Sequence, residues 1–263
     1  MATHEFYKYE GAGNDFIIID DRANTLHEAF DQRRIAHFCD RHFGIGGDGM
    51  MFLRSHPEYD FEMIYYNADG APSSMCGNGG RCIVRFAANL GIERECYNFL
   101  AVDGPHRAKL LKNGWVSLGM TDVKDWSIND EGAFVMDTGS PHYVQFGRDP
   151  ATVDVVQQGR AIRNSPAYAV EGINVNFVLR ESNILRISTY ERGVEDETLA
   201  CGTGVTAAAI SAAELDGVGP DESFRYAVVA KGGELAVRGK KTERGYADLW
   251  LEGPATYVFK GEI

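Results

Sequence analysis

Apolar and polar residues alternate along much of this chain in the period-two rhythm of half-buried strands. Phe61-Glu62-Met63-Ile64-Tyr65-Tyr66-Asn67 and Ile184-Leu185-Arg186-Ile187-Ser188-Thr189-Tyr190 both follow it. Asn174-Val175-Asn176-Phe177-Val178-Leu179 predicts another strand, and the tail from Leu249 to Phe259 predicts the last ones. Two turns run directly into strands: Gly11-Ala12-Gly13-Asn14-Asp15 before Phe16-Ile17-Ile18-Ile19-Asp20, and Thr138-Gly139-Ser140-Pro141 before His142-Tyr143-Val144-Gln145-Phe146. Helices are few. The segments after Cys76 and after Cys201 are apolar or Ala-rich and of helix length, and His27 to Arg41 and Asp149 to Gly159 predict two more. Met120 to Gly132 is polar and turn-rich and marks a boundary. These elements predict an α+β fold of two pseudo-symmetric halves, each a mostly antiparallel sheet wrapped around a central helix. Residues 1–120 form the half with Cys76 and 121–263 the half with Cys201, the C-terminal strand being free to return to the first half.

Bulk properties narrow the class of function. A chain of 263 residues with 44% hydrophobic and 24% charged positions can bury a large core. Its net charge of -12 argues against a nucleic-acid partner, which would need a basic footprint. No apolar run approaches the roughly 18 residues of a membrane span, and the first residues carry no signal-peptide pattern. An odd count of 5 cysteines suits a reducing cytoplasm better than a disulfide framework.

The cysteines divide into two kinds. None stands in Cys-x-x-Cys, and there is no His-x-x-x-His, so metal-ligand spacing is missing. Cys39, Cys82 and Cys96 read as small buried hydrophobes. Cys76 and Cys201 each open a Cys-Gly-x-Gly at the start of a helix: Cys76-Gly77-Asn78-Gly79 and Cys201-Gly202-Thr203-Gly204. Backbone N–H groups at a helix N-terminus bind anions and lower the pKa of a thiol. One such turn means little, whereas two in matching positions suggest a two-faced site with one thiol on each side. Gly44-Ile45-Gly46-Gly47-Asp48-Gly49 matches the dinucleotide fingerprint, but it leads from a helix into the strand Met50-Met51-Phe52-Leu53 and reads as a connecting loop.

Gly13-Asn14-Asp15-Phe16, Asn67-Ala68-Asp69-Gly70 with Cys76-Gly77-Asn78-Gly79, Asn174, Glu191-Arg192-Gly193 and Ala200-Cys201-Gly202-Thr203-Gly204 jointly resemble the diaminopimelate epimerase family. The resemblance runs from about residue 5 to the C-terminus. It implies epimerisation of LL-2,6-diaminopimelate to the meso isomer, for lysine and peptidoglycan synthesis, without pyridoxal phosphate, other cofactor or metal. It implies that Cys76 and Cys201 are the two catalytic bases, with His142 and Glu191 helping to set their protonation. Substrate contacts would come from Asn14, Asn67, Gly77, Asn78, Asn174, Glu191, Arg192, Gly202 and Thr203. A homodimer is compatible with it. Three departures stand out: Ser140 where many members have Asn, Gly49 where some have Gln, and a loop Gly193–Thr198 that reads one residue longer.

Other readings compete. Asn14 and His142 also suit plain turn positions, and Glu191-Arg192 also suits a solvated charge pair. A racemase of proline or hydroxyproline type would use the same two thiols without needing Asn67, Asn174 and Arg192. A non-catalytic binding protein and a redox sensor oxidising Cys76 with Cys201 are the rivals from other classes.

Overall fold

The computed structural model of the chain describes residues 3–26 and 29–263. It separates into two compact units: the residues up to Leu118 together with Gly253–Ile263, and Gly119–Glu252. Among the described residues, no helix is long and apolar enough to cross a membrane.

The first unit opens with a hairpin of β1 (Glu5–Gly11) and β2 (Asn14–Asp21). Helix α1 (Gln32–Cys39) leads to β3 (Gly49–Arg54), parallel to β2 and antiparallel to β4 (Phe61–Asn67). After α2 (Gly77–Asn89), β5 (Tyr97–Ala101) returns parallel to β4, and β6 (Gly104–Leu110) and β7 (Val116–Gly119) follow antiparallel. Alternation along β2 decides what each face covers. Ile17 and Ile19 pack with Ile35 and Cys39 of α1, and the opposite face meets α2. Helix α2 is buried without a break from Asn78 to Val84, so it forms the centre of its unit.

The second unit repeats the plan. β8 (Trp126–Ile128) pairs with β9 (Phe134–Asp137), which forms a hairpin with β10 (Pro141–Phe146). Helix α3 (Val155–Arg163) leads to β11 (Asn174–Glu181), parallel to β10 and antiparallel to β12 (Ile184–Glu191). The short β13 (Asp196–Thr198) and the central α4 (Gly202–Leu215) follow. β14 (Ser223–Ala230) then runs parallel to β12, and β15 (Gly233–Thr242) and β16 (Gly245–Gly253) finish the unit. Helix α4 is buried from Gly204 to Ala213 and contacts six strands from β9 to β15. Its run of alanines keeps the helix thin enough for strands to approach on several sides. Val175, Phe177 and Tyr190 point to the opposite face, under α3.

The last strand, β17 (Thr256–Glu262), pairs antiparallel with β1. It holds the place beside the first hairpin that β8 holds beside the second. The expected α+β architecture of two similar, mostly antiparallel halves around central helices is the one observed. Two outer helices differ from expectation. His27 and Glu28, where the first was to start, lie outside the described residues; α1 begins after Asp31, whose carboxylate accepts the Arg34 N–H at 2.8 Å. The second starts at Val155 rather than Asp149, because Asp149 O is taken by a turn to Thr152 and Val153 while Asp154 caps Gln157 at 2.9 Å. It continues through Gly159 to Arg163. The polar stretch from Met120 to Gly132 contains the strand β8.

Candidate active site

Both Cys-Gly-x-Gly segments form the first turn of a central helix, with the cysteine as N-cap in extended backbone conformation. The Gly80 N–H bonds to Cys76 O at 2.7 Å, and the Val205 N–H to Cys201 O at 2.9 Å. Amides before these have no acceptor within their helices: those of Gly77, Asn78 and Gly79, and of Gly202, Thr203 and Gly204. Together with the helix dipole, they make each end favourable to negative charge.

Around Cys76, which is half-buried, the first unit builds a polar network. Asn78 donates to Asn14 Oδ1 at 2.5 Å, and Asn14 donates to Asp48 Oδ2 at 2.8 Å. Arg41 bridges Asp48 and Asp15, and Lys8 pairs with Asp15 at 2.7 Å. Arg81 is completely buried one turn along α2; it donates to Asn78 Oδ1, Gly77 O and Pro254 O. Asn67 ends β4 exposed, paired with Gly49, and its backbone is held in the turn to Gly70 and Ala71. No side chain fits at Gly49, since a Cβ there would lie 2.5 Å from both the Tyr65 ring and Tyr66 O.

Cys201 is buried and sits 3.4 Å from Thr203 Oγ1. The hydroxyl of Thr203 lies 2.8 Å from His142 Nε2. His142 is wholly buried, which together with the nearby Arg192 charge pulls its pKa down to about 3, so the ring is neutral. Asn174, also buried, donates to Ser140 Oγ at 2.8 Å and Pro141 O at 3.0 Å, and it accepts the Arg192 N–H at 2.8 Å. Its amide therefore binds the frame of the site. Arg192 donates to Glu171 O at 3.0 Å and Ser140 Oγ at 3.4 Å. Among the described residues it has no carboxylate partner, so its charge stands available. Burial raises the pKa of the Glu191 carboxyl, which lies beside Arg192 at the end of β12. In the loop that follows, Glu195 ties Tyr190, Arg163 and Gly193 together.

Of the remaining thiols, Cys39 and Cys82 are buried as expected, whereas Cys96 is only half-buried because it stands in the bend before β5, its Sγ 3.9 Å from Tyr97 O. Burial pushes Cys39 up to about 11 and moves Cys82 strongly in the same direction, as for inert core cysteines. The glycine-rich loop before β3 spends its amides on the protein: Gly46 on Phe38 O, Gly47 on Cys39 O and Asp48 on Asp15 O. No group of three His, Cys, Asp or Glu side chains able to hold a metal exists among the described residues. Sequence reading passed over Asp48, Arg81 and Asn176. For Asn176 a position signal was present: it stands two residues after Asn174, on the same face of β11, in a stretch to Leu179 that is otherwise apolar.

The sequence pattern of the diaminopimelate epimerase family matches residues 6–124 and 134–258. A diaminopimelate epimerase of Flavobacterium psychrophilum is 44% identical over 260 residues, covering 98% of this chain and 100% of the relative. One from Chlorobaculum tepidum is 40% identical over 260 residues, covering 96% and 98%. Among solved structures, a Bacillus anthracis phenazine biosynthesis protein of the PhzF family superposes with a TM-score of 0.77 at 14% identity, over 100% of this chain and 99% of that one. A hydroxyproline epimerase from Agrobacterium vitis gives 0.65 at 14% identity, over 99% and 92%. These two likenesses speak to the fold alone.

Proposed function

The chain belongs to the diaminopimelate epimerase family, and on that premise we propose how its residues carry out the reaction. It is an isomerase that converts LL-2,6-diaminopimelate to the meso isomer, a step toward lysine. Inversion at one α-carbon requires a proton to leave one face and another to arrive at the opposite face. A single base would return the proton to the side it left. Cys76 and Cys201 supply the pair: one thiolate removes the α-proton, and the other thiol delivers one. The observation that carries this reading is the matched placement of the two thiols, each as N-cap of a central helix whose first amides favour an anion.

The α-hydrogen is a weak acid, so the carbanion-like transition state needs electrostatic support. The first-turn amides from Gly77 to Gly79 and from Gly202 to Gly204 are suited to hold the reacting carboxylate. Arg192, which has no carboxylate partner among the described residues, would take the distal carboxylate through its planar fork. Asn14 and Asn67 would complete the substrate contacts. Asn174 contributes by holding Ser140 and Arg192 in place. Neutral His142 and Glu191, whose pKa is raised, adjust the thiols' protonation without being the proton carriers. The five free cysteines suit a reducing compartment, and we assign the protein to the cytoplasm.

The test is deuterium wash-in at the α-carbon of LL-diaminopimelate, followed by chiral analysis of the product. Incorporation with inversion is expected after exhaustive dialysis against a chelator and without pyridoxal phosphate. Solvent deuterium entering with retained configuration would replace the two-thiol reading by a single-base one.

A further inference from the structure

A chain of buried hydrogen bonds runs from Cys201 into the second unit, and its direction can be worked out atom by atom. Asn176 is completely buried. Its Nδ2 lies 2.9 Å from Tyr143 O, which only accepts, and its Oδ1 lies 2.8 Å from the Thr189 hydroxyl. That fixes the orientation of the amide. The second hydrogen on Nδ2 then points to His142 Nδ1 at 3.1 Å, so Nδ1 is the acceptor and the ring proton sits on Nε2. Nε2–H donates to Thr203 Oγ1 at 2.8 Å. The proton of the Thr203 hydroxyl is left for Cys201 Sγ, 3.4 Å away.

We propose that Asn176 and Thr203 are positioning residues for Cys201: Asn176 fixes His142 as its Nε2–H tautomer, and Thr203 thereby becomes a committed hydrogen-bond donor to the Cys201 sulfur. A donor aimed at sulfur favours the thiolate. His142 is thus a fixed dipole rather than a proton acceptor. The ring's immediate partners, Asn176 and Thr203, are neutral, and Arg192 is the charged group that acts on it, further disfavouring imidazolium.

Among the described residues the first unit carries no counterpart of His142 and Asn176. His142 pairs with Asn174 across the parallel strands as Phe16 pairs with Gly49, and Val144 with Asn176 as Ile18 with Met51. The register puts apolar Phe16 and Met51 where the second unit has His142 and Asn176. The helix turns differ to match. A Cβ on Gly204 would lie 2.4 Å from Asn176 Oδ1, whereas one on Gly79 would lie 3.4 Å from Met51 Sδ.

This inference rests on Cys201 being one of the two bases, but its test needs no substrate. Nitrogen NMR of the imidazole should show His142 neutral and protonated on Nε2 from about pH 5 to about pH 9. The pH midpoint for iodoacetamide alkylation of Cys201, followed by peptide mass spectrometry, should rise by about one unit in Thr203→Val. Thr203→Ser should restore it, and the Cys76 midpoint should not move in either variant. Asn176→Asp should transfer the ring proton to Nδ1 and shift the Cys201 midpoint as Thr203→Val does. An Nδ1–H or cationic His142 in the unmodified protein, or an unmoved Cys201 midpoint in Thr203→Val, would overturn the proposal. Absence of turnover with LL-diaminopimelate would instead count against the proposed function and leave these measurements standing.

Discussion

Under the two-base mechanism we propose, Cys76 and Cys201 each serve one face of the α-carbon, so neither can stand in for the other. Cys76→Ala and Cys201→Ala should each abolish epimerisation of LL-diaminopimelate and of the meso isomer. Cys39→Ala, Cys82→Ala and Cys96→Ala should leave kcat largely intact, with only packing losses. Near-normal turnover by either of the first two variants would end the two-base reading. At Arg192, lysine keeps the charge but loses the two-donor fork. Arg192→Lys should lower kcat/KM for diaminopimelate about 30-fold or more, since losing a charge-assisted contact costs ~2–5 kcal/mol. A panel of diaminopimelate, proline, hydroxyproline and glutamate would check the same contact from the substrate side, with diaminopimelate expected to lead. His142 allows a test in the folded protein alone. Its pKa lies at about 3 when folded, against roughly 6.5 when exposed. As pH falls through that window the unfolded chain binds a proton that the folded chain refuses. Stability should therefore drop by up to about 1.4 kcal/mol per pH unit on acidification. His142→Gln should flatten that part of the profile in urea denaturation between about pH 7 and about pH 4.5; an unchanged slope would mean that the ring is not held neutral.

At the scale of elements, the site depends on how closely two buried helices approach their sheets. Helix α4 places Gly204 directly on Asn176, and α2 places Gly79 at ordinary contact distance from Met51. The same substitution at the two positions should therefore have unequal effects. Gly204→Ala forces the helix turn off Asn176 and should cost ~1–3 kcal/mol, together with a marked loss of kcat. Gly79→Ala should fall within ~1 kcal/mol of the parent, helped by the better helix propensity of alanine. Thermal denaturation of both variants tests this, and equal destabilisation would show that the close approach at Gly204 is not decisive. The outer helices α1 and α3 are short and are capped by Asp31 and Asp154. They act mainly as covers for Ile17, Phe52, Val175 and Phe177.

For the whole molecule, the first unit is discontinuous in sequence. Its hairpin is completed by β17, with Phe6 edge-on to Phe259 and the His4 and Ile263 backbones bonded at 2.8 and 2.9 Å. The Arg81 guanidinium also donates to Pro254 O from that returning segment. A fragment ending at residue 118 keeps Cys76 and α2 but lacks a strand and a partner for a buried cation. Expressed alone it should show no cooperative unfolding transition. The same fragment joined through a short linker to residues 253–263 should regain one. A sharp transition in the shorter fragment would show that the return of β17 is dispensable.

Much of this was legible in the chain itself. Period-two alternation marked β4 and β12 nearly to the residue, because which side chains face a core is written locally. The repeated Cys-Gly-x-Gly turns located the two central helices and singled out the two cysteines that cap them, Cys76 and Cys201. The outer helix α3 began later than the apolar pattern suggested, because Asp149 closes a separate turn with Ala151 and Thr152 and Asp154 is the residue that caps the helix. Beyond that, the outcome depended on atoms far apart in sequence. Nothing near Asn176 announces that it orients His142, and nothing near Asn174 announces that its amide is spent on Ser140, Pro141 and Arg192. No feature of residues 256–262 identifies β1 as their partner. Periodicity records that a residue is buried; hydrogen-bond direction and strand partner are settled only when the folded chain brings donor and acceptor within about 3 Å.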